Sequence, residues 1–246
     1  MQKIQLPFSK YKGLSRLMEA GEPVCVTFET GQLIEKEVEE KETRGKAVEK
    51  KEAEEKLVEA GNQKIPEKSD LLFCELVQKA RMGEVFRVSG QNCSPGDYVL
   101  GLSEASPAAY YLNSGRYLNA QAAENAALCL PRLKKRFSSI RIEPLSLNAG
   151  MFDVLILFLK PEKAMQMVQA RAYSEGKRTA VDTMGAASIC GDCTVLALEK
   201  GISLSFGCKG SRKHSGYEDF EVPLGLSFEK AAEIEKGLSK LPETRK

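Results

Sequence analysis

Thiols are the side chains here best suited to chemistry. Three of the seven cysteines fall in one glycine-marked stretch, "SICGDCTVLALEKGISLSFGCKGSRK", residues 188–213. Cys190 and Cys193 form a C-x-x-C, a spacing that lets two sulfurs reach one metal from the turn that opens a helix. N–H groups exposed at such a turn also stabilise thiolate. Cys208 follows at the end of an expected strand, between Gly207 and Gly210, which permit a tight turn. Cys93 sits in "QNCSPGD", a polar turn that positions ligands more readily than it packs a hydrophobe. Cys74 lies on the apolar stripe of an expected helix, one helix and one strand before Cys93. Cys25, in an apolar strand, and Cys129, in an alanine–leucine run before Pro131, read as small buried hydrophobes.

Three uses of the thiols compete with plain core packing. A [4Fe–4S] cluster would draw on Cys74, Cys93, Cys190, Cys193 and Cys208, with Cys74, Cys93, Cys190 and Cys208 the favoured set. A zinc ion could take Cys190, Cys193, Cys208 and His214. A thioredoxin-like dithiol would need only Cys190 and Cys193, and leaves Cys208 idle. His214 is the single histidine, so sites built on two imidazoles are excluded. Many thiols with almost no imidazole suits a cluster or a sulfur-rich zinc site. The zinc reading ignores Cys93 and asks for a histidine from a segment that reads as solvated, so the cluster ranks first, the dithiol second and zinc third. Beside the last cysteine, "GCKGSRKHSG" offers an anion pocket in which Lys209, Ser211 and Arg212 bind a small carboxylate or phosphate; a plain basic surface turn is the competing reading. No Walker loop, dinucleotide fingerprint or Ser-His-Asp order stands out.

The elements that must position these residues follow from periodicity. A short helix from about Lys10 ends at Gly21, and "PVCVTFE" reads as a strand. "DLLFCELVQKARMG" is a helix with Asp70 as N-cap, "EVFRVSG" a strand, and "NCSPGDYVLGL" a turn opening a helix. Residues 105–130 are alanine-rich and helical. "RFSSIRIEPLSL" and "FDVLILFL" read as strands, and Pro161 opens the helix "PEKAMQMVQARAYSEG". "RTAVDTMG" is expected as a strand, "CGDCTVLALEKG" as a helix and "ISLSFGC" as a strand. "DFEVPLGLS" and a helix capped by Ser227 close the chain. Strand, helix with "VQ" and Ala-Arg, strand, then a cysteine at a helix start occurs twice, ending on Cys93 and on Cys190. The expected fold is one α+β domain of two similar strand–helix–strand–helix halves, about 10–130 and 138–240, with Cys93 and Cys190 facing one another across a shared cleft. A glutamate- and lysine-rich stretch, 35–66, reads as a solvated helical insert.

Composition narrows the function classes. The 246 residues can bury a sizeable core, and a net charge of +2 without a basic stripe argues against nucleic acid. The first residues lack the apolar stretch of a secretory signal, and "FDVLILFL" is too short to span a bilayer. A cytoplasmic protein is expected, with reduced thiols rather than a disulfide framework.

The stretches "CELVQKARMGEVFRVSGQNCSPGDYVLGL", "SICGDC" and "LSFGCKGSRK" resemble the ArCR family of archaeal and bacterial proteins, domain of unknown function 169, from about Pro23 to the end with the insert outside. The resemblance falls on Cys74, Cys93, Cys190 and Arg212, and leaves the fourth ligand open between Cys193, Cys208 and a group outside the protein. It implies no activity. The family's frequent occurrence in anaerobes suits an oxygen-sensitive cluster, and an open iron would suit substrate chemistry. The expectation is an iron–sulfur protein with a redox or small-anion-binding role, served by a small anionic ligand and a redox protein partner. A metal or cluster carrier is the alternative. Substrate, partner and homo-oligomeric state stay open.

Overall fold

The computed structural model describes residues 10–30 and 67–241; the charged insert lies outside the described residues. Seven strands form one mixed sheet in the order β2-β3-β4-β1-β5-β7-β6. They are β1 (Val24–Glu29), β2 (Glu67–Lys68), β3 (Phe86–Gly90), β4 (Ser139–Pro144), β5 (Val154–Leu159), β6 (Ile202–Leu204) and β7 (Val222–Ser227). All neighbours run antiparallel except β2 and β3.

The central strand explains the layering. "VLILFL" of β5 is apolar at every position and buried at every position, as a strand covered on both faces must be. Its side chains alternate between two cores, each contributing about 1.5–3 kcal/mol by burial. Val154, Ile156 and Phe158 face one core, with Val24 and Val26 of β1. Leu155, Leu157 and Leu159 face the other, with Cys25 and Leu224. Cys25 is fully buried, as expected of a small hydrophobe.

The second core is closed by a helix pair, α6 (Pro161–Glu175) and α9 (Phe228–Leu238), with α1 (Lys12–Ser15) packed on α9. Pro161 occupies the first turn of α6, and the Ser227 hydroxyl accepts from the Lys230 N–H to cap α9. The first core is covered by α2 (Phe73–Arg81), α3 (Ser94–Val99), α4 (Ala108–Asn113), α5 (Ala120–Leu128) and a π-helix, Ser188–Val195, which runs into α7 (Leu196–Lys200). The last short helix, α8 (Lys209–His214), packs against α2. This first layer carries the pocket described below.

Several expectations change. Asp70 does not cap α2; the N-cap is Leu72, and the Glu75 carboxylate accepts its N–H at 2.8 Å. Cys129 is exposed at the C-terminal end of α5, because the alanine stripe of that helix, not the residue after it, faces the core. "RTAVDTMG" forms no strand: Val181 is 50 % exposed and finds no neighbouring strand. That loss removes one element from the proposed second half. The two helices with the "VQ" motif also lie on opposite faces of the sheet, α2 on the first core and α6 on the second. The α+β class holds; the two-halves reading is not confirmed. Among the described residues no helix is long and apolar enough to cross a membrane.

Candidate functional site

Four elements of the first layer converge on a pocket of about 480 Å³, counted to its open mouth, and each brings one thiol to the wall. Cys74 comes from the first turn of α2 and Cys93 from the residue that caps α3. Cys190 comes from the first turn of the π-helix and Cys208 from the N-cap of α8. All four therefore sit where the chain enters a helix. Cys190 is 8 % exposed and the other three are half-buried.

Helix type separates Cys190 from Cys193. A π-helix, bonded i→i+5, turns less per residue than an α-helix, so a residue three places on falls more than a quarter turn short of the starting face. Cys190 meets the pocket while Cys193 is fully buried among apolar neighbours and does not line it. The Thr194 hydroxyl donates to the Ile189 carbonyl at 2.8 Å inside this wide turn. The Asp192 carboxylate accepts from Thr183 at 2.7 Å and from Ser205 at 2.6 Å, fastening the π-helix to its surroundings. Ala187, just before it and on the pocket wall, has a φ of +49°, a conformation that costs a residue with a Cβ about 1–2 kcal/mol.

The electrostatics divide the thiols. Burial pushes Cys74 up to about 12, helped by the nearby Cys208 and Cys93. Burial raises Cys190 well above the ordinary thiol range, and Cys93, Cys208 and Cys74 add to the rise. Burial also raises Cys93, against the Gly96 N–H and the Arg116 guanidinium, which favour its thiolate. Cys208 goes the other way. Burial opposes its ionisation, but hydrogen bonds from Ser188 and Ser211 outweigh it, and the thiol is held below its ordinary value. The Ser211 N–H donates to Cys208 Sγ at 3.4 Å. A positively charged group bonded to these thiols would offset the burial penalty, and the smaller repulsion between neighbours, that keep Cys74, Cys93 and Cys190 protonated.

Two further side chains on the wall are incomplete. Tyr111 Oη and Gln91 Nε2 are buried without a hydrogen-bond partner, and each residue is only 1 % exposed. Gln91 Oε1 accepts from the Phe73 N–H, so its orientation is fixed and the bare atom is a donor. Native buried donors are nearly always paired, and both of these await an acceptor.

The anion turn is used differently from the expectation. Arg212 donates to the carbonyls of Phe206, Glu218, Asp219 and Glu221 and stacks on Tyr217, 4.6 Å from the ring centre. Gly207, at φ +87°, lies where an added Cβ would come within 2.2 Å of Tyr217 Oη and 2.8 Å of Arg212 Nε, so this turn is built around the arginine. Ser211 lines the pocket but is spent on capping α8 and on hydroxyl contacts with Ser188 at 3.0 Å and Tyr217 at 3.1 Å. Lys209 is exposed and absent from the wall, and His214 lines neighbouring cavities only. Among the described residues, no three His, Cys, Asp or Glu side chains form a group that could hold a metal ion. No periodic signal marks Tyr111, Gln91 or Arg116 in the sequence, although Gln91 stands two residues before Cys93.

No solved structure matches the chain. An uncharacterized protein of Methanocaldococcus jannaschii is 26 % identical over 186 residues, covering 70 % of this chain and 80 % of that protein. The family model described as uncharacterised ArCR, domain of unknown function 169, matches residues 21–237, a span that holds all four pocket thiols, and the chain belongs to that family.

Proposed function

We propose that the four-thiol pocket holds an iron–sulfur cluster ligated by Cys74, Cys93, Cys190 and Cys208, and that the protein serves electron transfer or redox chemistry on a small molecule in anaerobic metabolism. The observation that carries this reading is the meeting of four thiols from four separate chain segments on one wall. Scattered core cysteines would each be sealed by hydrocarbon. When bound, the cluster supplies one-electron redox capacity. The chain's part is to seat the thiolates, exclude bulk water with Phe73, Tyr111 and Ile189, and offer the bare Tyr111 hydroxyl to sulfur.

The competing readings draw less support. Zinc would need Cys193 and His214, neither of which lines the pocket, and a Cys190–Cys193 dithiol would need both sulfurs on one face. A carrier that hands its cargo to a partner should expose its ligands, whereas Cys190 is buried.

Anaerobic purification followed by iron and sulfide analysis and an absorption spectrum tests the proposal. Broad absorbance near about 400 nm with both elements present is the expected outcome, lost in Cys93→Ser. A colourless protein containing zinc, or a metal-free one with a reversible Cys190–Cys193 disulfide, would overturn it.

A further inference from the structure

A second, more polar cavity adjoins the thiol pocket, and Gln91, Cys93 and Arg116 line both. Lys68, Asn92, Ser94, Ser103 and His214 contribute to its remaining wall. Asp97 is its one carboxylate among the described residues, and that charge already faces Lys68 Nζ at 4.0 Å and accepts the Gln91 N–H at 2.9 Å. Arg116 has no such engagement. Among the described residues its guanidinium makes no hydrogen bond or ion pair, whereas Arg81 is committed to the Glu221 carboxylate and Arg212 to backbone carbonyls. The buried Gln91 amide, also bare, stands on the same shared wall. A free guanidinium and an unpaired amide donor at one opening ask for a ligand with oxygen acceptors and negative charge.

We infer that the outer cavity binds a small molecule bearing a carboxylate or phosphate, held by Arg116 and Gln91, so that the rest of the molecule reaches the thiol pocket past Cys93. This names a substrate class for the site proposed above and rests on that reading for its purpose. It moves the anion site away from the Lys209–Arg212 turn, where the arginine is already occupied by backbone oxygens.

The test titrates the full chain, in iron-loaded and metal-free forms, with inorganic phosphate and separately with oxalate, by calorimetry under anaerobic conditions. Binding of at least one anion by the wild type is expected. Arg116→Gln should weaken it by about tenfold or more, while the exposed Lys209→Gln leaves it unchanged. Phosphate binding without oxalate binding would assign a phosphoryl ligand, and the reverse a carboxylate. Failure of both anions to bind, or equal loss in both variants, would overturn the inference. Arg116-dependent binding by a chain that takes up no iron would sink the cluster reading and leave the anion site standing.

Discussion

Cys208 and Tyr111 line one pocket wall with opposite proton affinities. Cys208 is primed as a thiolate by the N–H groups and hydroxyl that surround it, while Tyr111 keeps a proton it has nowhere to donate. Burial raises the Tyr111 hydroxyl well above its ordinary value, and the neighbouring Cys190 reinforces the rise. An unpaired buried hydroxyl costs about 1–3 kcal/mol. Tyr111→Phe should therefore raise the urea stability of the metal-free protein by about 1 kcal/mol, and that gain should vanish once iron and sulfide are bound. Equal destabilisation of both forms would mean that the hydroxyl has a partner inside the folded chain. At this scale the sequence was informative for the thiols, because a cysteine in a polar turn such as Cys93 or Cys208 has little else to do. It was silent on Tyr111, which looks like any helical aromatic until its hydroxyl is found to face thiols.

The element that sorts the thiols is the π-helix, and its sequence carries no mark of its width. "SICGDC" reads equally well as an α-helix, in which Cys190 and Cys193 would lie closer to one face. What holds the wide form is contact from outside. Strand β7 passes so near that a Cβ on Gly225 would fall 1.7 Å from the Cys193 carbonyl oxygen. Gly225→Ala should cost at least about 2 kcal/mol in chemical denaturation, because backbone cannot yield as a flexible side chain can. A smaller loss would show that the π-helix can shift off the strand. Other elements were easier to read. Pro161 and the apolar periodicity defined α6, and the unbroken apolar run defined β5. "RTAVDTMG" misled because alternation describes a strand only where a partner edge exists, and none stands beside Val181.

Across the whole molecule, acid should stabilise before it destroys. Burial raises the carboxyls of Asp97 and Asp192 to about 6. A carboxyl whose folded value exceeds its unfolded one, about 3.9, takes up a proton on folding, so stability rises as pH falls from about 6 towards 4. Glu221 behaves oppositely. Burial opposes its charge, but the Arg81 hydrogen bonds outweigh that and hold it below the ordinary range, so its contribution disappears as pH falls through that lowered value. The urea midpoint of metal-free protein should climb between pH 7 and about 5 and decline below about 4. Asp192→Asn should flatten the climb. A midpoint that falls steadily from pH 7 would show that the two buried carboxyls are ionised without strain. The α+β class was visible in the order of periodic segments; the layering was not, since period-two alternation does not say which helix covers which face.

The pocket is assembled from both ends of the described chain, with α2 and α3 supplying one side and the π-helix and α8 the other. Any group bonded to all four thiols would clasp segments that the unfolded chain lets wander far apart, a restriction of the kind that a cross-link over a long loop imposes. Loading would then govern survival as well as chemistry. Stripped molecules would open first and be the ones that proteases find, so that a cell short of iron or sulfide would hold less of the protein.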